Sequence, residues 1–139
     1  VPNVTPNQPL AAAAELPLVL DLARQIFDVI DGRQALSPTK FIEMVDLDLD
    51  AFASNAHVHR SMITRSPTAQ NIQSHIRATL QVLAAVMTTS GGDLQPAIFW
   101  YRNESLAAFD HKTAEALVVE GRAADVLDLL ASYQAGFVG

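Results

Sequence analysis

Apolar residues recur along most of this chain at three- and four-residue spacing, the signature of helices with one buried face. Val19, Leu20, Ala23, Ile26, Phe27 and Ile30 form the first such stripe, with Asp21, Arg24 and Asp28 facing away. It predicts a helix from about Leu16 to Gly32, a residue suited to the left-handed backbone of a helix end. Ahead of it, residues 1–14 read as a mobile tail, punctuated by Pro2, Pro6 and Pro9, although Ala11 to Ala14 can begin a helix. Ser37-Pro38 supplies a cap and a first-turn proline to the next helix, whose apolar face is Phe41, Ile42 and Val45. Short helices are expected over about 49–55 and 59–65. Ser66-Pro67 then opens a long helix over about 68–89, buried through Ile72, Ile76, Leu80, Leu83 and Met87 and ended by Gly91-Gly92. Beyond Asp93 the pattern breaks into short helices at about 94–101, 104–109, 113–120 and 123–133. Asn103 and Thr113 are the expected caps, Gly121 a stop, and Phe99, Trp100 and Leu106 core residues. No strand alternation and no repeat stands out. The expected fold class is all-α: a helical region over residues 15–92, then a compact bundle of short helices over residues 93–139.

Composition narrows the function classes. The 139 residues suit one domain or two small lobes sharing a core, and a chain that is 50% hydrophobic and 17% charged is globular. The absence of cysteine removes disulfide frameworks and thiolate metal sites. No apolar run approaches a membrane span; the best, Leu80 to Met87, is short and contains Gln81. No signal-peptide pattern opens the chain, so a cytoplasmic location is expected. A net charge of −6 argues against a nucleic-acid binder until its distribution is considered. All 15 acidic residues lie outside residues 51–92, a window that holds Arg60, Arg65 and Arg77 with His57, His59 and His75.

That window has the pattern of a helix-turn-helix. Ala53 is small where a second helix would cross. A turn follows at Ala56-His57, and Val58 and Ile63 are apolar where the second helix must be buried. His59, Arg60, Ser61, Thr64 and Arg65 would then face outward, as side chains that bind phosphate and base edges do. His57 stands where glycine is usual, and histidine adopts the left-handed turn less readily. An ordinary helical hairpin with solvated arginines fits the same pattern. Asp46-Leu47-Asp48-Leu49-Asp50 resembles a calcium loop only superficially, because Ala51 and His57 occupy the places that need glycine and glutamate. Asp48 or Asp50 as a helix cap is the better reading. His57, His59, His75 and His111 lack metal-site spacing and nearby carboxylates. No nucleophile, phosphate-loop or metalloprotease motif occurs, so neither enzymatic activity, nor a cofactor, nor a metal is expected.

Phe99-Trp100-Tyr101-Arg102-Asn103-Glu104, Lys112-Thr113-Ala114-Glu115-Ala116-Leu117-Val118 and Glu120-Gly121-Arg122, followed by Val126, Leu130 and Gly136-Phe137, resemble the toxin-binding domain of Xre/MbcA/ParS-type antitoxins. His57 to Pro67 with Ile72-Gln73 resembles the degenerate Xre-type helix-turn-helix upstream in that family. Together these cover roughly residues 37–139. Two positions depart from the common pattern: Arg102 and Thr113 stand where many members have proline. The resemblance implies a partner, a RES-domain toxin that consumes NAD, neutralised by the C-terminal module with its chain end directed at the toxin's pocket. The toxin-binding residues it implies are Tyr133, Gly136, Phe137, Val138 and Gly139. It also implies operator DNA as a second partner. A homodimer is expected, with Val19, Ile26 and Ile30 as candidates for the contact. A protein-binding adaptor that no longer reads DNA is the alternative.

Overall fold

A computed structural model describes residues 10–136 of the chain. Helix α1 spans Leu10–Ile26 and leads into a β-hairpin of β1, Phe27–Ile30, and β2, Arg33–Leu36. Then follow α2 (Pro38–Val45), α3 (Leu49–Asn55), α4 (Arg60–Arg65), α5 (Gln70–Met87), α6 (Leu94–Asn103), a 3-10 turn at Ala107–Phe109, α7 (Ala114–Val119) and α8 (Ala123–Gly136). The protein is predominantly helical, as expected, with one small antiparallel sheet that the periodicity does not predict.

The hairpin corrects the first helix. The apolar stripe runs on to Ile30, but the helix stops at Ile26, and Phe27, Asp28, Val29 and Ile30 pair with Leu36, Ala35, Gln34 and Arg33. The corner is Asp31-Gly32, with φ of 53° and 77°. Positive φ at both central residues is the two-residue turn whose twist matches that of paired strands. Gly32 therefore closes a hairpin rather than a helix. At its other end α1 begins at Leu10, earlier than the expected boundary, and carries Pro17 inside it.

Local capping chemistry sets the other boundaries. Ser37 accepts from the Lys40 amide, Asp48 from the Ala51 amide and Thr113 from the Ala116 amide, each satisfying a free first-turn N–H. Two expected caps do not form. Ser66 ends α4, and α5 starts after Ala69 without a side-chain cap. Asn103 lies inside α6, its amide donating to the Phe99 carbonyl.

Helix α5 is the centre of the fold, contacted by α1, α2, β2, α6, α7 and α8. From Val82 to Met87 it is buried on every side, so this half has no polar face and must be enclosed by neighbours. Phe41 and Phe52, with ring centres 5.4 Å apart, extend this core under α2 and α3, and Leu117, Val126 and Leu130 close it from the C-terminal side. Two sequence expectations fail on burial. Phe99 is 69% exposed, while Leu106 is buried and Trp100 packs partly against the core. Ile26 is 1% exposed inside its own chain, which removes it as a dimer contact.

Candidate nucleic-acid and partner interfaces

Helices α3 and α4 form the expected hairpin. Phe52, Ala53, Ala56 and Ile63 are buried beneath it, and Val58 packs partly against the same core. The corner is His57 at φ 60°, in the left-handed region where the pattern usually has glycine. Its amide donates to the Ser54 carbonyl at 3.1 Å and the Val58 amide to the Ala53 carbonyl at 3.0 Å, so the turn is hydrogen-bonded throughout. The imidazole then does what glycine cannot. Its Nε2 lies 2.7 Å from the Val119 carbonyl at the end of α7. A carbonyl only accepts, so Nε2 carries the proton in this arrangement. The strained corner of the hairpin is thereby tied to the C-terminal helices.

The outward face of the hairpin carries the residues expected of it, with more local bonding than the sequence suggests. His59 caps α4: its Nδ1 accepts from the Ser61 amide at 3.2 Å and lies 2.9 Å from the Ser61 hydroxyl. Arg65 donates to the Ser61 Oγ at 3.2 Å, and the Thr64 hydroxyl to the Ser61 carbonyl at 3.1 Å. Ser61 is thus the hub of an exposed His59, Thr64 and Arg65 cluster. Arg60 points instead to Asp50, 3.1 Å away across the hairpin, both side chains well exposed. Such a surface pair contributes at most about 1 kcal/mol and yields to a competing phosphate. Arg65 and Arg77 form no ion pair among the described residues. Helix α4 is short, about 9 Å at the usual rise per residue, which limits it to one turn and a half of contact.

The C-terminal module is joined to the hairpin side by side chains that local pattern does not reveal. Arg102 on α6 donates from Nη1 to the Asp46 carbonyl at 3.1 Å and lies 4.0 Å from the Glu115 carboxylate on α7. Asn55 at the end of α3 donates to the same Glu115 at 3.4 Å. The Arg102 Nη2 is buried without a partner among the described residues, beside a cavity of about 10 Å³ that is also lined by Asn55, His75, Thr79 and Tyr101. That space fits one water molecule with several polar neighbours. Burial pushes the Tyr101 phenol up, against a 3.3 Å hydrogen bond with Thr79, so it stays protonated.

Of the expected toxin-contacting residues, Tyr133 and Gly136 belong to α8, which continues three residues past its expected end. Tyr133 is 46% exposed on it. Phe137, Val138 and Gly139 lie outside the described residues. Gln134 on the same helix donates to the Thr88 hydroxyl at 2.8 Å, holding α8 against the end of α5. Phe99, which the sequence assigns to the core, is a second exposed aromatic of this module. Among the described residues no group of three potential metal ligands converges, and no helix is long and apolar enough to cross a membrane. The chain matches no protein-family model, and neither a curated protein nor a solved structure is found to be similar to it.

Proposed function

We propose that the chain is the antitoxin of a toxin–antitoxin pair, binding a RES-type NAD-consuming toxin through its C-terminal helices and its own operator DNA through α3 and α4 as a homodimer. The observation that supports this reading most is the α3–α4 hairpin. It has a left-handed corner, a small buried core and an outward cluster of His59, Ser61, Thr64 and Arg65, and from residue 51 to 92 the chain carries no carboxylate, Asp50 at the start of α3 being the one on the hairpin. Exposed Tyr133 and Phe99 give the C-terminal helices aromatic anchors of the kind that dominate protein interfaces. Val19 and Ile30 remain candidates for the dimer contact, being only partly buried in the single chain.

DNA binding is tested by titrating the protein against duplex from the region upstream of its own gene at increasing salt. A steep loss of affinity with salt is expected. Arg65→Ala should weaken binding about tenfold and lower the salt slope by about one. A second reading, a protein-binding adaptor that does not read DNA, is favoured by the Arg60–Asp50 pair and the net charge of −6. Salt-independent or undetectable binding would select it. Toxin binding is tested by co-expressing the chain with the neighbouring reading frames. A stable complex is expected with one product, and it should be lost on removing residues 137–139 together with Tyr133→Ala. Retention of the complex by that variant would refute the placement of the interface.

A further inference from the structure

We propose that the groove between α1, the β-hairpin and α5 is a binding site for a small amphipathic carboxylate, its apolar body lying in the groove and its head group on Arg77. The groove encloses about 280 Å³. At about 30 Å³ for each water-sized volume, it holds roughly nine heavy atoms. Its walls are Val19, Leu20 and Ala23 from α1, Phe27 and Leu36 from the hairpin, and Leu80 from α5. Among the described residues no carboxylate lines it, and Arg77 is its one charged lining residue. An apolar body with a single anionic end matches that distribution, whereas a cation or a fully polar ligand does not.

The polar groups at the groove divide into committed and available ones. The Gln73 amide is used up within the fold: it accepts from the Leu36 amide and donates to the Leu36 and Pro67 carbonyls. Arg77 donates one N–H to the Ser74 hydroxyl at 3.3 Å and has no carboxylate partner among the described residues. Its remaining N–H donors form no bond among the described residues, and their planar fork suits a carboxylate. Leu20, 42% exposed, and Leu16, 57% exposed one turn earlier on α1, form an apolar approach to the groove that no described residue covers. The groove is separate from the DNA and toxin surfaces, which use α3, α4 and the C-terminal helices, but it shares Val19 with the candidate dimer contact, so ligand and second copy compete there.

Octanoate, octanol and octyltrimethylammonium, titrated into the full chain at constant ionic strength and followed by backbone amide NMR, test the site. Octanoate should give saturable shifts at Leu20, Ala23, Phe27, Leu36 and Leu80, and bind more tightly than the other two. Arg77→Gln should weaken octanoate about fivefold or more and leave octanol unchanged, because the lost contact is a charge-assisted hydrogen bond. Leu20→Asp, at the exposed rim, should abolish octanoate binding with the fold intact. Equal affinity for all three probes, or an unaffected Arg77→Gln variant, would overturn the proposal. So would light scattering that shows the groove occupied by a second copy which octanoate does not displace.

Discussion

Gln73→Met should lower the unfolding free energy by about 3 to 4 kcal/mol, a large part of the total for a chain of this size. Gln73 is a buried polar residue on α5 that treats the outer edge of β2 as a neighbouring strand would. Its Oε1 accepts from the Leu36 amide at 3.1 Å, and its Nε2 donates to the Leu36 carbonyl at 2.8 Å and the Pro67 carbonyl at 3.0 Å. Methionine keeps the volume and strands three buried backbone groups, each worth about 1 to 3 kcal/mol when left unpaired, with partial relief from water at the Pro67 end. Urea unfolding with an unchanged m value is the measurement, and amide exchange at Leu36 localises the effect. A loss under about 1 kcal/mol would mean that the hairpin is held by Phe27 and Leu36 packing alone. Because Gln73 and Leu36 both border the α1–α5 groove, the same variant should also loosen octanoate binding.

The contrast between this bond and the caps explains what the sequence could show. Ser37, Asp48 and Thr113 act on amides three residues ahead, so the motif and the bond lie within one turn and are legible. The long apolar helix α5 and the α3–α4 hairpin follow equally from local periodicity. Gln73 to Leu36 spans 37 residues, Arg102 to Asp46 spans 56 and His57 to Val119 spans 62. A single sequence carries no signal for such pairs. The hairpin is different, because its signal was present. Asp31-Gly32 between two short β-tolerant runs is the strongest local mark of a two-residue turn. It is masked because Ile26 and Ile30 continue the helical spacing of α1, and a four-residue strand is too short to establish a period of two. Phe99 departs from its expected burial for a related reason. An aromatic counts as core by composition, yet the buried face of α6 is Ala97, Ile98 and Tyr101, and Phe99 falls on the other side.

Stability should fall by about 3 kcal/mol between pH 6.5 and pH 4 through His75 alone. Burial, with a smaller contribution from the nearby His57, lowers its pKa from the ordinary 6.5 to about 4. The ring lies 5.9 Å from Phe52 and borders the cavity that Arg102, Tyr101 and Glu115 also line. In the unfolded chain the imidazole takes up a proton as the pH drops below 6.5, while the folded chain resists until about 4. The unfolded state therefore binds more protons throughout this window. His75 leaves the fold at full stability above pH 6.5 and subtracts from it progressively down to pH 4. Carboxylates titrate over part of the same range, so the measurement is a difference: urea unfolding of the native chain and of His75→Met at pH 7.5, 5.5 and 4.5. The native chain should lose more stability than the variant at each step down, with the gap reaching about 2 to 3 kcal/mol at pH 4.5. A gap that stays constant with pH would show that the ring titrates over the same range in the folded and the unfolded chain. The same titration bears on the α3–α4 corner, because His57 and His75 face one cleft together with Asn55, Asn71 and Ser74. Charging the buried ring puts a cation beneath the turn that His57 ties to α7. Loss of the native fold on acidification should accordingly begin at this joint, with amide exchange rising first at Val58 and Val119 and only later along the buried half of α5.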